Sequence, residues 1–216
     1  MRSLFACLIA LVMTAIFCPV PSAHAMSVGA PARTSDTSEF TLSGSIGYST
    51  LDVRDEEVTS KSFLIKGVVD TDGRIMPYVK LGFADLEAGG IKGSLDFAYG
   101  VGVLLNLVGQ ESETGFRLSL DAQGGWSQSS EAGDNLKFFE SQLTLIASGR
   151  TGGTTAYAGF AASFLNLDGG GLNENENGQG HLLFGVDYFM DYNFYFNAEA
   201  HLFGQNMLNI GVGYQF

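Results

Sequence analysis

The chain has 216 residues, 45% of them hydrophobic and 12% aromatic, with 29 glycines, 4 prolines and 2 cysteines, and a formal net charge of −12. Such a length suits one domain, and the acidic excess argues against a nucleic-acid partner, which needs a basic face. Beyond the first 25 residues no stretch approaches the roughly 20 consecutive apolar residues of a membrane helix, yet apolar residues are plentiful and alternate with polar ones.

Met1 to Ala25 has the layout of a secretory signal. Arg2 supplies the positive end, Leu4 to Phe17 the apolar run, and Ala23-His24-Ala25 a small-x-small cleavage site. Removal leaves 191 residues starting at Met26, with 10 basic against 23 acidic residues, a net charge of −13. Cys7 and Cys18 both lie in the signal, so the mature chain is expected to have no disulfide, thiol nucleophile or thiolate metal site. A lipoprotein signal would need a small residue where Phe17 stands. Residues 26–38, polar and with Pro31, predict a short periplasmic lead-in.

A two-residue period then starts, the mark of strands with one greasy face. Phe40 to Leu51 sets Phe40, Leu42, Ile46 and Tyr48 against Thr41, Ser43, Ser45 and Ser49, and Asp52 to Ser60 predicts a loop. Lys61 to Asp70 opposes Phe63, Ile65 and Val69 to Lys66 and Asp70, and ends in Thr71-Asp72-Gly73-Arg74, whose Asp-Gly is a strong hairpin signal. Ile75 to Asp85 turns Val79, Leu81 and Phe83 one way and Tyr78, Lys80 and Gly82 the other. Pro77 cannot donate to a ladder, so pairing is expected only from Tyr78.

Ser94 to Leu107 alternates most strictly, with Leu95, Phe97, Tyr99, Val101, Val103 and Leu105 opposite Asp96, Ala98, Gly100, Gly102 and Asn106. After a polar turn over Val108 to Thr114, Gly115 to Ser127 sets Phe116, Leu118, Leu120, Ala122 and Trp126 against Arg117, Ser119, Asp121 and Gln123. Leu136 to Ser148 opposes Phe139, Leu143 and Leu145 to Glu140, Gln142 and Thr144. In Thr154 to Leu167 only Phe160 and Phe164 mark the greasy face. Asp168 to Gly180, rich in Gly, Asn and Glu, predicts the longest break.

His181 to Met190 then opposes Leu182, Phe184, Val186 and Tyr188 to Gly185 and Asp187, and Asn193 to Phe203 opposes Phe194, Phe196, Ala198, Ala200 and Leu202 to Asn197, Glu199 and His201. The last strand carries Leu208, Ile210, Val212, Tyr214 and Phe216 on one face. Ten strands result, an even number as single-chain barrels require, with eight as the alternative.

Alternation does not by itself distinguish a membrane barrel from a soluble one. The polar face is mostly Ser, Thr, Gly, Ala, Asn and Gln, which suits a narrow interior better than a solvated exterior. The aromatics on the greasy face gather in two girdles. Phe40, Phe116, Phe194, Phe196, Tyr214 and Phe216 form one, and Tyr48, Phe63, Phe83, Phe97, Trp126, Phe139 and Phe164 the other. The fold class expected is therefore all-β, an antiparallel transmembrane β-barrel over residues 39–216 with no soluble domain.

A final strand closing on Tyr214, Gln215 and Phe216 resembles those of bacterial outer-membrane β-barrel proteins, and the whole pattern is similar to small barrels of the OmpA-like kind. The resemblance implies a place in the outer membrane and no cofactor. It also implies partners: periplasmic chaperones, the barrel-assembly machinery reading Tyr214 and Phe216, outer-membrane lipid and lipopolysaccharide. OmpA-like proteins typically add a peptidoglycan-binding domain. None follows Phe216, so cell-wall anchoring is not expected.

The inward ionisable residues are Lys66, Lys80, Asp96, Arg117, Asp121, Glu140, Asp187, Glu199 and His201. Unpaired charges in a narrow barrel are costly, so a polar network that fixes the barrel is the first reading, with a structural or surface-binding role through the outer loops. The second is a narrow channel, cation-leaning because five carboxylates face three permanent cations. Bulky Tyr78, Lys66, Lys80 and Arg117 favour closure, whereas the inward glycines leave room. The third is an outer-membrane lipid hydrolase or protease using His181 or His201 at the outer rim with Asp187 or Ser163, although no such enzyme's motif surrounds either histidine. The acidic loops, with Asp52, Asp55, Glu56 and Glu57 and with Asp168, Glu174 and Glu176, offer oxygen ligands at no recognised spacing and read as solvated.

Overall fold

The computed structural model describes Ser27 and residues 40–216 apart from 54–55, 72, 89–90, 110–114, 132–133, 170–171 and 192. The expected signal, the lead-in other than Ser27, and Asp55 lie outside these. Ten long strands run in chain order: β1 (Phe40–Val53), β2 (Glu56–Val69), β3 (Ile75–Ala84), β6 (Asp96–Val108), β7 (Phe116–Glu131), β8 (Asp134–Thr151), β9 (Thr154–Gly169), β10 (Leu172–Phe189), β11 (Phe194–Leu202) and β12 (Gln205–Gln215). Two short strands, β4 (Glu87–Ala88) and β5 (Ile91–Lys92), lie between β3 and β6.

Each long strand pairs antiparallel with its sequence neighbour, and β1 pairs with β12 from Thr41↔Gln215 to Leu51↔Gln205 as well as with β2, so the sheet closes. Closure leaves no free edge where all ten long strands pair, the condition for sheet in lipid, whereas the outer part of β10, before Leu182, pairs with β9 alone. The eight-stranded alternative is excluded.

Burial is inverted relative to a water-soluble fold. Ile46, Leu81, Phe97, Leu145, Phe160, Tyr188 and Val212 face outward and exposed, whereas Asp121, Thr144, Ser163, Glu199 and His201 are buried inside. Phe83 meets Phe97 and Tyr99 meets Trp126 along one girdle, and Phe216 meets Phe40 and Tyr214 along the other. Phe116 and Trp126 lie ten residues apart on β7. At about 3.3 Å per residue and a tilt of about 40°, that spans about 25 Å along the membrane normal, the usual height of the apolar band.

Several boundaries differ from the sequence reading, most of them at the outer end. Asp168 to Gly180 is ladder rather than a break: β10 pairs with β9 from Leu172↔Gly169 onward, with a bulge at Asn177/Gln179. Asp52 to Ser60 is likewise paired, through Asp52↔Glu57 and Val53↔Glu56. Backbone pairing needs no apolar period, and outside the lipid none is required, so periodicity misses these extensions. Pro77 ends only one ladder. Pairing to β2 starts at Val68↔Tyr78, while pairing to β6 continues to Ile75↔Leu105. The β11–β12 turn is Phe203-Gly204, with φ of 66° and 90°. Two positive φ angles are the mark of a tight primed hairpin turn.

At the opposite end the β10–β11 turn is tied by Asp191, whose Oδ1 accepts from the N–H of Phe194 at 2.6 Å and of Asn193 at 2.9 Å. These donors hold the carboxyl below its ordinary value. Its share of stability is present above the unfolded-state pKa and lost as pH falls through the lower folded-state one. Asp191→Asn is therefore expected to flatten the acid end of the stability profile, below about pH 4, read by urea unfolding at stepped pH.

Candidate functional site

Three inward tyrosines set the width of the lumen. Tyr78, Tyr157 and Tyr195 stand in register with Gly102, Gly185 and Gly213 on the next strand. A Cβ on those glycines would come within 2.3, 2.1 and 2.2 Å of the tyrosine rings. These three glycines thus accommodate rings laid across them, and the room expected at those positions is filled.

From these rings a hydrogen-bonded chain crosses the barrel. The Tyr78 hydroxyl donates to Asp121 Oδ2 at 2.8 Å, and Lys80 Nζ donates to Gln123 Oε1 at 2.6 Å. Gln123 Nε2 donates to Gln142 Oε1 at 2.6 Å, and Gln142 Nε2 lies 3.0 Å from His181 Nε2. His181 stacks on His201 with centroids 4.9 Å apart, and His201 Nε2 lies 2.9 Å from Glu199 Oε1. Glu199 Oε2 accepts from the Tyr157 hydroxyl at 2.8 Å, while Asn197 Nδ2 donates to that hydroxyl at 3.0 Å and to Asp187 Oδ1 at 2.6 Å. Glu140 Oε1 accepts from Ser163 at 2.9 Å and Gln205 at 2.8 Å. Lys66 Nζ sits 4.1 Å from the centroid of the Tyr78 ring. A chain of this kind ties seven strands, β3 and β7 to β12, through side chains alone.

Above this belt the lumen is closed by an apolar cap. Leu51, Val58, Leu86, Ala88, Leu136, Phe138, Leu165 and Leu167 form one buried cluster, with Ile91 packed against it. Here the pattern changes phase. On β8, Glu140, Gln142 and Thr144 point in and Phe139, Leu143 and Leu145 out, but beyond Phe139 it is Phe138 and Leu136 that point in and Lys137 and Asn135 out. On β9 the same switch falls between Phe164, outward, and Leu165, inward. The strands leave the lipid at these doublets, and the extension follows the rule of a water-soluble barrel, with its apolar side chains inside. A second apolar cluster of Met76, Leu104, Ile146, Tyr157, Ala161 and Leu183 lies on the inner wall. The interior expected to be polar is therefore polar in one belt only.

On the periplasmic side of the belt lies a cavity of about 80 Å³ lined by residues that include Lys66, Lys80, Asp187, Tyr195 and Ser27. Lys80 Nζ donates to the carbonyl oxygen of Ser27.

Of the nine inward ionisable residues read from the sequence, Lys66, Lys80, Asp121, Glu140, Asp187, Glu199 and His201 share the lumen. Asp96 does not. It stands at the outer end of β6, where its Oδ1 accepts from the N–H of Phe97 at 2.7 Å on an exposed strand end. Its phase was inward, but β6 starts there, and a residue at the lip has solvent beside it. Arg117 is half-buried on β7, near its periplasmic end and four residues from Asp121. Tyr157, Tyr195, Gln142 and Gln205 were not singled out. Their signal was present in the phase of the alternation, and for the tyrosines in the glycine that faces each one.

His181 is neither at the rim nor at the start of a strand. It lies in mid-strand, 1% exposed, and His201 and Ser163 are fully buried. The partners imagined for a hydrolase are otherwise engaged, Asp187 with Asn197 and Ser163 with Glu140. Among the described residues no group of three or more His, Cys, Asp or Glu is placed to hold a metal ion.

No family model matches the chain, and no curated protein matches it. Solved structures to which the chain is similar include an outer membrane protease from Escherichia coli at 11% identity, covering 87% of this chain and 100% of that one with a TM-score of 0.47. An outer membrane channel from Pseudomonas putida F1 matches at 10% identity over 92% and 99% of the two chains, with a TM-score of 0.47. Neisserial surface protein A matches at 13% identity over 83% and 98%, with a TM-score of 0.42. The closed antiparallel barrel rests on the pairing of this chain's own strands.

Proposed function

We propose that the chain is a closed, non-enzymatic barrel of the outer membrane that serves as a structural or surface-binding element through the strand extensions and loops at its outer end. The observation that supports this reading is the apolar cap. A pathway for ions or small solutes has to cross it, and a dry cluster of Leu, Val and Phe offers no group to replace the water an ion would shed. The buried position of both histidines supports the non-enzymatic part, since neither lipid nor external solute reaches them. Delivery by periplasmic chaperones, recognition of Tyr214 and Phe216 by the assembly machinery and contact with lipopolysaccharide at the outer girdle complete the proposal.

The test is planar-bilayer recording of refolded mature protein whose folding is verified by heat-modifiable gel migration. Silence is expected. Steady cation-selective openings that change with Glu140→Gln would replace the closed reading with the channel one.

A further inference from the structure

Just above the outer girdle the barrel wall has a break. The β2–β3 ladder ends at Ser62↔Ala84, and β2 pairs next with β4, through Thr59↔Glu87 and Val58↔Ala88. Between the two ladders Asp85 stands in for a strand residue. Its N–H donates to the Lys61 carbonyl oxygen at 3.0 Å, and its Oδ1 accepts from the Lys61 N–H. A cavity of about 180 Å³ opens at this break, lined by residues that include Tyr48, Thr59, Lys61, Asp85 and Glu87, against about 80 Å³ for the cavity in the lumen. One water needs only about 10–15 Å³, so the space suits a larger polar group.

The lining carries both signs of charge. Lys61 Nζ lies 3.9 Å from Asp85 Oδ2 with its side chain 72% exposed, and Glu87 is paired with Lys92 at 3.5 Å. An exposed pair as long as that of Lys61 contributes little, so its ammonium can turn to another anion at small cost. Tyr48 and Thr59 add hydroxyls, and the Tyr48 ring adds an apolar face. A bare anion would meet two carboxylates here and a bare cation would meet Lys61. A phosphorylated sugar matches the whole set, with its phosphate on the ammonium and its hydroxyls on the carboxylates.

Position selects the source. Lys61 and Asp85 stand two residues beyond Phe63 and Phe83, about 5 Å further out along the membrane normal. Beneath them Ile46, Phe63 and Phe83 form an outward, exposed row in register across β1, β2 and β3. A headgroup in the cavity therefore lays its acyl chains on this wall. The chain's net charge of −12 gives it no general attraction for an anionic surface, so a phosphate is held only where a cation is local.

We infer that this cavity is a binding site for the phosphorylated sugar headgroup of an outer-leaflet lipid, with Lys61 taking the phosphate and Asp85 and Glu87 the sugar hydroxyls. The inference rests on the lipopolysaccharide contact proposed above and gives it a place and a chemistry.

The test is titration of refolded mature protein in detergent with purified lipopolysaccharide, read by thermophoresis, with EDTA present so that divalent cations form no bridges. Heat-modifiable gel migration verifies the folding of each variant. Lys61→Gln is expected to weaken binding at least about tenfold, the loss of one charge-assisted contact, and Lys61→Arg to stay within about threefold of the unsubstituted chain. Lys137→Gln, an exposed outward lysine two residues beyond Phe139 on β8, is expected to change nothing. Phosphatase treatment of the lipopolysaccharide is expected to abolish the difference between Lys61 and Gln, and millimolar glucose 1-phosphate to leave binding intact. Equal effects of Lys61→Gln and Lys137→Gln, indifference to phosphatase, or displacement by glucose 1-phosphate overturns the inference while the lipopolysaccharide contact stands. No binding by the unsubstituted chain overturns both, and closure of the lumen, read by conductance, is untouched by either result.

Discussion

Phe138→Lys is expected to destabilise the barrel by about 3–5 kcal/mol, the cost of an uncompensated charge in a dry core, whereas Phe139→Lys, its immediate neighbour, costs only about 0–1 kcal/mol at the outer lipid interface. The contrast follows from the phase switch on β8. Phe138 is 1% exposed inside the apolar cap, and Phe139 is 47% exposed on the outer face. Urea unfolding of the two variants in the same lipid or detergent reads the difference directly. Were the inward-polar rule to hold along the whole strand, the cap would not exist and the two variants would shift the midpoint alike. Phe138→Lys has a second expected consequence, because the cap is what closes the lumen: brief openings in a planar bilayer that the unsubstituted barrel and Phe139→Lys both lack.

That phase switch also marks where the sequence stops being legible. Within the lipid the rule is rigid, since every outward side chain meets acyl chains and every inward one meets its neighbours. Phe116 to Trp126 and Leu208 to Phe216 can therefore be assigned by parity alone, and the strands, the girdles and the closure follow. Outside the lipid the rule relaxes. Asn173, Glu174 and Asn175 pair with Asp168, Leu167 and Asn166 through backbone groups that carry no sequence signature, and the segment reads as a loop. The adjacent apolar residues Phe138-Phe139 and Phe164-Leu165 were the available clue, because two apolar residues in succession cannot both obey a period of two. The lumen was half legible. Parity names which charges face inward, but their partners depend on how the strands stagger around the barrel. Lys80 thus meets Gln123 across 43 residues, and His201 turns to Glu199 on its own strand rather than to Asp187.

Lys80→Met keeps the length of the side chain and removes its charge and its hydrogen bonds to Gln123 and Ser27. Four carboxylates then face Lys66 as the remaining ammonium among the described belt residues, and the expected cost is about 3–5 kcal/mol, as for one partner lost from a buried ionic group. Asp121→Asn leaves an amide oxygen to accept from the Tyr78 hydroxyl while removing one negative charge from the same belt. Combined in one chain, the two substitutions are expected to cost less than the sum of their separate effects by about 1–3 kcal/mol, the range of coupling within one polar network. Urea unfolding of the four proteins supplies the cycle, and additivity within about 0.5 kcal/mol would show that the belt is held by hydrogen bonds and packing without charge balance. The double variant is also expected to remain silent in a bilayer. The belt and the cap are separate layers, so a network that stabilises the barrel can be weakened without opening it.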